Sequence, residues 1–201
     1  NESIEIKSFP LKIFKDYPNI QDMMNSITFN QKESIKKLDD YAMSYFGFPG
    51  FNSFPKQTQN KGLFGFEEKV SQKEIVKAAI EGEDLLAVLP TGGGKTFTFW
   101  LPAIIKAKAT RGLTLVISPL QALMKDHIHN FNKKLIGIAS AEALSGYLTL
   151  PERRLIIEQI LNGKIDILYV APESLRSKNI ERILSYRFID RIVIDEAHCL
   201  S

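Results

Sequence analysis

Three consecutive glycines separate an apolar run from a segment with helical character, and this junction constrains the fold more than any other part of the sequence. The apolar run occupies residues 85–89, the glycines are residues 92–94, and Lys95 and Thr96 follow them. Glycine lets the backbone approach a bound group closely and adopt positive φ angles. A helix that begins after the glycines directs free N–H groups and the positive end of its dipole at an anion. The junction therefore predicts a buried strand, a phosphate-binding loop and a helix in succession.

The side chains of this loop suit a bound polyphosphate with Mg²⁺. The Lys95 ammonium would reach the outer phosphates, and the Thr96 hydroxyl would bind the metal ion. The general pattern Gly-x-x-x-x-Gly-Lys-Ser/Thr has Leu89 at its first position here, although the glycines that flank the phosphates remain. The alternative is a glycine-rich turn between a strand and a helix. The predicted ligand-binding residues of the loop are Thr91, Gly92, Gly93, Gly94, Lys95 and Thr96.

A second motif lies near the end of the sequence, where the β-branched residues 192–194 precede Asp195 and Glu196. Such a run is typical of a buried parallel strand with acids at its carboxyl end, where open α/β sheets bind ligands. Asp195 would hold Mg²⁺ through water, and Glu196 would orient and deprotonate an attacking water. The alternative is a strand followed by an acidic helix start. The presence of Lys95 and Thr96 in the same domain favours the catalytic interpretation.

The composition is that of one soluble globular domain with an appendage. The chain has 201 residues, and its net charge of +3 permits nucleic-acid binding without arguing for it. Cys199 is the only cysteine, which excludes a disulfide framework and a cysteine-based zinc site. A reducing, intracellular compartment is therefore expected, either cytoplasmic with nucleoid association or nuclear. No apolar run approaches membrane-spanning length, so we expect no membrane partner.

Helix and strand signals alternate from Ser71 onward, and this alternation predicts an α/β domain with a parallel sheet flanked by helices. The predicted strands are residues 85–89, 113–117, 136–139, 165–170 and 191–195. The predicted helix caps are Ser71 with Glu74, Ser118 with Pro119 and Gln121, and Thr149 with Glu152.

The first part of the chain differs from the rest. A helix is predicted from Asn30 to Phe46, with Gly47 at its end and a turn-rich linker after it. Residues 1–29 support no assignment. The aromatic side chains around the linker are expected to dock on the main domain, with base stacking as the alternative; they are Phe46, Phe48, Phe51 and Phe54.

We therefore divide the chain into an N-terminal extension of unassigned role, residues 1–60, and an α/β domain, residues 61–201. Asn1 is not an initiator methionine, and Ser201 follows the carboxylates almost at once. The chain is thus expected to be part of a longer protein, with the α/β domain truncated at its C-terminus.

Several segments occur in the order found in one known family. They are Leu89–Thr96, Leu101–Ala103, Ser118–Leu120, Leu123–Asp126, Tyr169–Glu173 and Asp195–Ser201. Together they resemble the first RecA-like domain of a superfamily 2 helicase of the RecQ family. The Leu-Pro-Thr-Gly-Gly-Gly-Lys loop and the Asp-Glu-Ala-His-Cys-Leu-Ser ending are the most specific pieces, and the resemblance covers about residues 63–201.

The resemblance implies a role for Gln72, which would read the adenine edge of ATP. In the family a Gly-x-x-x-aromatic-basic pattern precedes this glutamine. Here the spacing from Gly65 is one residue short, and Glu68 and Lys69 stand at the aromatic and basic places. The alternative is an exposed helical glutamine.

The resemblance also implies roles for His198 and for the motif residues. His198 would couple hydrolysis to the nucleic-acid site, or else be a hydrogen-bonded structural group. Independently of the resemblance, His127 and His129 lie on a predicted helix with no metal-ligand partner nearby, and both are expected to be surface or structural residues. The implied catalytic residues are Lys95, Asp195, Glu196 and His198.

Two segments resemble parts of the family that contact a nucleic-acid backbone. In the first, Ser118 would donate to a phosphate and Lys125 would neutralise it, although Ser118 is also a candidate helix cap. The second segment begins at Pro172. The implied nucleic-acid contacts are Ser118, Pro119, Lys125, Glu173 and Ser174.

The function implied by the resemblance is that of a motor. The parent protein would hydrolyse ATP with Mg²⁺, move 3′ to 5′ on single-stranded DNA and unwind duplexes that carry a single-stranded overhang. An arginine from a second RecA-like domain of the same chain would stabilise the transition state. The chain alone is therefore expected to bind nucleotide weakly and to unwind nothing. The alternatives are an RNA helicase of the same superfamily and an ATP-gated interaction module that is not a motor.

Overall fold

The computed structural model describes residues 29–54, 71–90 and 92–197. The predictions for Thr91 and His198, and those for Gly65, Glu68 and Lys69, lie outside the described residues.

Helices and strands alternate along most of the described chain. The helices are α1 (Gln31–Lys36), α2 (Leu38–Phe46), α3 (Gln72–Glu81), α4 (Lys95–Thr110), α5 (Gln121–Lys134), α6 (Leu150–Leu161) and α7 (Lys178–Tyr186). The strands are β1 (Leu113–Ile117), β2 (Ala141–Leu144), β3 (Ile167–Val170) and β4 (Ile189–Ile194), and a 3₁₀ turn covers Pro172–Arg176. None of the described helices is both long enough and apolar enough to cross a bilayer.

The described strands form one parallel sheet in the order β2-β3-β1-β4. Every residue of β1 and β3 is buried, as expected for central strands covered on both faces. Val116 of β1 packs in a cluster with Trp100 of α4, whereas Leu115 packs in a second cluster with Ile160 of α6. The sheet is therefore a middle layer between two layers of helices, and the predicted α/β fold class is confirmed.

The register of the sheet aligns the carboxyl ends of all four strands. Ile117 lies opposite both Val170 and Ile194, and Val170 lies opposite Leu144. Residues that directly follow these strands consequently stand in a row along one edge of the sheet. This row is called the carboxyl edge below.

The predicted strand at residues 85–89 is wrong, because these residues pair with no strand among the described residues. Leu86 and Val88 are 73% and 81% exposed. A strand exists only where a neighbour completes its ladder of hydrogen bonds. The described sheet ends at β4, whose outer side carries no strand. An apolar run cannot by itself supply such a partner.

The predicted strand at residues 136–139 is also misplaced, since β2 begins at Ala141. Ile138 donates a 2.8 Å hydrogen bond to the Leu135 carbonyl, which makes this stretch a turn. The Asn132 amide donates to the Ala141 carbonyl at 2.9 Å and accepts from the Ala141 N–H at 2.8 Å. This pair of bonds from α5 sets the start of the strand.

The helix starts follow local signals in part. Thr149 and Glu152 form the predicted reciprocal capping box of α6. Ser71 caps α3, although its hydroxyl accepts from the Lys73 N–H. The Ser118 cap is wrong: Leu120 occupies the cap position of α5, and Pro119 therefore precedes the helix. The N–H of Ser118 still donates to Val170 in the sheet, which keeps this residue in line with β1.

The N-terminal helices pack on the α/β domain. The predicted helix from Asn30 to Phe46 is divided at Lys37 and ends, as predicted, at Gly47 with φ +69°. The ring centroids of Phe46 and Phe48 each lie 5.1 Å from that of Phe97 in α4, and the Phe51 ring lies 5.5 Å away. Docking of these aromatic side chains is thereby confirmed.

Candidate functional site

The glycines of the loop are required by the geometry around them. Gly92 and Gly94 have φ angles of +75° and +72°, which side chains other than glycine rarely tolerate. A Cβ on Gly93 would lie 2.8 Å from the Pro90 carbonyl oxygen, and one on Gly94 would collide with the Gln72 amide nitrogen. The shape of the loop therefore depends on residues without a side chain, and a backbone of this kind can make close contacts with phosphate oxygens.

The helix α4 begins at Lys95, directly after the loop. No side chain caps this helix start among the described residues, which leaves its first N–H groups to a ligand. The Lys95 Nζ lies 3.8 Å from the Glu196 Oε1, so the two sequence motifs meet in space. Because the Lys95 side chain is 44% exposed, this ion pair contributes little stability and leaves the ammonium able to bind phosphate.

The end of β4 places two carboxylates at the carboxyl edge. The N–H of Asp195 donates to the Ile117 carbonyl at 2.9 Å, and the N–H of Glu196 donates to the Asp195 carboxylate at 3.1 Å. Glu196 has φ +51°, an uncommon conformation for a residue with a side chain. Such conformations concentrate at functional sites, which agrees with the role predicted for Glu196.

Asp195 is suited to a cation. Burial raises the pKa of its carboxyl group above the usual value, and the Asp195 Oδ2 is buried without a hydrogen-bond partner in the described structure. A cation would satisfy this oxygen. Among the described residues no cluster of three or more His, Cys, Asp or Glu could hold a metal by itself. A carboxylate oxygen is a ligand type that Mg²⁺ accepts, and Mg²⁺ completes its coordination with waters and phosphate oxygens.

His127 of α5 reaches the same place, which its interpretation as a surface or structural residue missed. Its Nε2 lies 3.4 Å from the Thr96 hydroxyl oxygen. Its ring packs edge-on against Trp100 and near Tyr169, with centroid distances of 5.9 and 6.0 Å. Burial lowers the pKa of the imidazole, which favours the neutral form of the ring. Only a long-range contact brings His127 to Thr96, and nothing in the local sequence signals it.

Gln72 is 3% exposed, so the alternative of an exposed helical glutamine is wrong. Its amide nitrogen donates to the Gly93 carbonyl at 2.8 Å, and its amide oxygen accepts from the Asn52 N–H at 2.8 Å. Both ends of the side chain are thus engaged. Gln72 joins the phosphate loop to the N-terminal segment.

The neighbours of Gln72 come from an unexpected part of the chain. Ser53 and Ser71 form an antiparallel bridge, and the N–H of Gln72 donates to the Asn52 carbonyl at 3.1 Å. The Gly-x-x-x-aromatic spacing expected before Gln72 is present from Gly47 to Phe51, with Asn52 at the basic place. Sequence reasoning looked only at the residues immediately before Gln72. The repeated Phe-Gly-Phe at residues 46–48 and 64–66 was the available signal.

A cleft of about 1140 Å³ opens beside the phosphate loop. Its volume is somewhat larger than the usual range for small-molecule sites, roughly 300–1,000 Å³. Aromatic residues of the N-terminal segment form one wall, and α5 forms the other, with Lys134 placed 4.6 Å from the Phe48 ring centroid. The cleft reaches Gly94, Thr96 and His127. It has room for a nucleoside next to the phosphate-binding residues.

The implied nucleic-acid contacts lie along the carboxyl edge. Ser118 and Pro119 follow β1, and Glu173 and Ser174 follow β3 in the 3₁₀ turn. The Ser118 hydroxyl is buried without a hydrogen-bond partner in the described structure, so it does not face solvent here. Lys125 of α5 is exposed and can meet a phosphate.

The fold and the site define a RecA-like nucleotide-binding domain, with a phosphate loop before α4 and paired carboxylates after β4. Residues 69–201 match the DEAD/DEAH box helicase family, and the chain belongs to this family.

Similarity to RecQ-type relatives confirms the predicted resemblance. The ATP-dependent helicase SGS1 of Saccharomyces cerevisiae is 39% identical over 137 residues, which are 65% of this chain and 9% of that protein. The ATP-dependent DNA helicase RecQ of Haemophilus influenzae is 37% identical over 142 residues, 70% of this chain and 22% of that protein. The chain thus spans less than a quarter of either relative.

A third relative extends the similarity toward the N-terminus. The ATP-dependent DNA helicase hus2/rqh1 of Schizosaccharomyces pombe is 39% identical over 180 residues, 86% of this chain and 13% of that protein. A match over 86% of the chain is longer than residues 61–201. It therefore includes part of the N-terminal extension.

The structural comparison supports the fold. The helicase MrfA, solved bound to DNA and AMPPNP, superposes with a TM-score of 0.55 at 20% identity. The match covers 74% of this chain and 22% of MrfA.

Proposed function

We propose that this chain is the ATP-binding motor domain of a DNA helicase. In the parent protein it couples ATP hydrolysis to 3′–5′ movement on single-stranded DNA and to duplex unwinding. The observation that carries this proposal is the approach of Lys95 to Glu196, at 3.8 Å. It joins a phosphate-binding helix start to a carboxylate at the carboxyl edge, the arrangement that nucleotide hydrolysis requires.

The nucleotide binds in the cleft beside the phosphate loop. Its phosphates lie against the loop backbone and the first N–H groups of α4, and Lys95 pairs with the outer phosphates. The base lies toward the aromatic wall that Phe48 and Phe51 contribute. Gln72 either donates to the base after leaving Gly93, or holds the loop in the shape that the phosphates need.

Hydrolysis transfers the terminal phosphoryl group to water. Glu196 accepts a proton from the attacking water, whose oxygen bonds to the terminal phosphorus as the bond to the ADP oxygen breaks. Thr96 and Asp195 would hold Mg²⁺, which supplies charge neutralisation on the phosphate oxygens when bound. Lys95, at the start of α4, stabilises the negative charge on the same phosphate oxygens.

The partners follow from the relatives, which are named DNA helicases. We propose single-stranded DNA, or a duplex with a single-stranded overhang, as the nucleic acid. A second RecA-like domain of the parent chain supplies the arginine that completes the transition state. An RNA helicase and an ATP-gated interaction module are the competing functions.

The test is ATP turnover by the full-length protein that contains this chain, with single-stranded DNA, matched RNA or neither. Stimulation by DNA, lost in Lys95→Ala and in Glu196→Gln, is the expected result. Glu196→Gln should still bind nucleotide, because it changes the proton acceptor and leaves the phosphate loop intact. Stimulation by RNA alone would favour the RNA helicase, and turnover that ignores both nucleic acids would favour the interaction module.

A further inference from the structure

Tyr147 has the largest exposed fraction of the aromatic residues in the described chain, 77%. It lies in the short loop that follows β2, and it packs in neither of the two hydrophobic clusters. An aromatic side chain in water forgoes the free energy that its burial would provide. Burial of the Tyr147 ring therefore does not contribute to the stability of this fold.

The ring is nevertheless held in place. The Arg153 guanidinium of α6 donates a 2.8 Å hydrogen bond to the Ser145 carbonyl, which ties the loop to the helix after it. The Lys125 Nζ lies 5.3 Å from the Tyr147 ring centroid, within the range of a cation–π contact. One face of the ring thus meets a cation, and the rest of it meets solvent.

The position of the loop relates Tyr147 to the nucleotide site. Leu144, Val170, Ile117 and Ile194 are aligned across the sheet, so the Tyr147 loop and Asp195 follow strands at opposite ends of the carboxyl edge. Three strand spacings of about 4.8 Å separate β2 from β4, which is roughly 14 Å. A strand of nucleic acid lying on the β2 end of this edge would leave the nucleotide cleft unobstructed.

An exposed aromatic ring beside a lysine matches the chemistry of single-stranded DNA. Bases stack on aromatic rings, and lysines pair with the phosphates between them, without sequence preference. We propose that Tyr147 and Lys125 form a contact for one nucleotide of single-stranded DNA. The Tyr147 ring stacks on the base, and Lys125 pairs with the adjacent phosphate. This inference rests on the proposed function, to which it adds a base contact.

The experiment measures binding of the full-length protein to a labelled oligothymidylate, and to an abasic strand of the same length, by fluorescence anisotropy. Tyr147→Ala should weaken binding to the oligothymidylate by about tenfold and leave binding to the abasic strand unchanged. Tyr147→Phe keeps the ring and should bind as the unsubstituted protein does. Lys125→Gln should weaken binding to both strands, because it removes a phosphate contact.

Tyr186→Ala is the matched control. Tyr186 is a tyrosine of 62% exposure at the end of α7, just before β4 and thus at the opposite edge of the sheet. Its replacement should change neither affinity. Equal affinities of Tyr147→Ala and the unsubstituted protein for oligothymidylate would overturn the stacking contact alone. Failure of the unsubstituted protein to bind either strand would overturn the proposed function and this inference together.

Discussion

The amide nitrogen of Gln72 lies 2.8 Å from the carbonyl oxygen of Gly93, so the helix before the phosphate loop is bonded to the loop itself. The oxygen of the same side-chain amide accepts a hydrogen bond from the N–H of Asn52. The shape of the loop consequently depends on a residue of the N-terminal segment, which sequence analysis had separated from the α/β domain.

Replacement of Gln72 tests this dependence. Gln72→Ala leaves the Asn52 N–H and the Gly93 carbonyl without their partner, and an unsatisfied buried group costs about 1–3 kcal/mol. We expect a lower thermal midpoint and weaker binding of a fluorescent ATP analogue. Lys77→Ala, on the exposed face of the same helix, is the control and should alter neither quantity. Unchanged nucleotide affinity in Gln72→Ala would show that the loop holds its shape alone.

A second prediction separates backbone strain from ligand binding. Gly94 and Gly82 both have positive φ angles, +72° and +83°, but a Cβ would collide with Gln72 only at Gly94. Alanine at either position should cost about 1–2 kcal/mol of folding free energy for the left-handed backbone. Only Gly94→Ala should lose nucleotide affinity, measured by titration calorimetry. A comparable loss of affinity in Gly82→Ala would contradict the assignment of the loop.

The pKa of Asp195 gives a pH-dependent prediction. Because burial raises this pKa above 3.8, the folded state keeps the proton to higher pH than the unfolded chain does. The stability associated with the protonated group is complete below pH 3.8 and is lost as the pH rises through the folded-state pKa.

Asp195→Asn removes the loss of stability that comes with ionisation of this buried group. Without nucleotide, the variant should therefore be more stable than the unsubstituted protein at neutral pH. The stability difference should shrink as the pH falls toward 3.8, as followed by urea denaturation. The same variant should lose the stabilisation that Mg²⁺ with ATP gives to the unsubstituted protein. A variant that is less stable at neutral pH would count against a buried, uncompensated carboxylate.

A fourth prediction concerns His127, whose Nε2 is 3.4 Å from the Thr96 hydroxyl. His127→Phe keeps a ring against Trp100 but removes the nitrogen. The loss of one hydrogen bond, about 0.5–1.5 kcal/mol, should raise the Mg²⁺ concentration needed for half-maximal nucleotide binding by about two- to tenfold. His127→Gln retains a hydrogen-bond acceptor, so its Mg²⁺ requirement should lie between those of His127→Phe and the unsubstituted protein. His129→Phe, two residues away on the exposed face of α5, should have no effect.

Sequence reasoning predicted the features that depend on neighbouring residues. The Thr149–Glu152 capping box, the helix end at Gly47 and the strand at Leu113–Ile117 each follow from a few adjacent side chains. The phosphate loop was predictable for the same reason, since its glycines act through their own backbone.

Apart from the Ser118 cap, which the structure moves two residues along to Leu120, the failures involve partners that are distant in sequence. Residues 85–89 have a strand-like composition but no neighbouring strand in the described sheet. The start of β2 depends on Asn132, and the surroundings of Gln72 depend on Asn52. Such contacts are products of folding, and a local pattern does not contain them.

The bridge between Ser53 and Ser71 has a consequence for how this protein can vary. The bridge pairs two residues that are 18 positions apart in the sequence, and it places Asn52 beside Gln72 through contacts of these residues alone. Closing a longer loop costs free energy only logarithmically, about 0.6 kcal/mol for each doubling of its length. We therefore expect that an insertion between the two serines keeps Gln72 in register with the phosphate loop as long as the bridge itself forms.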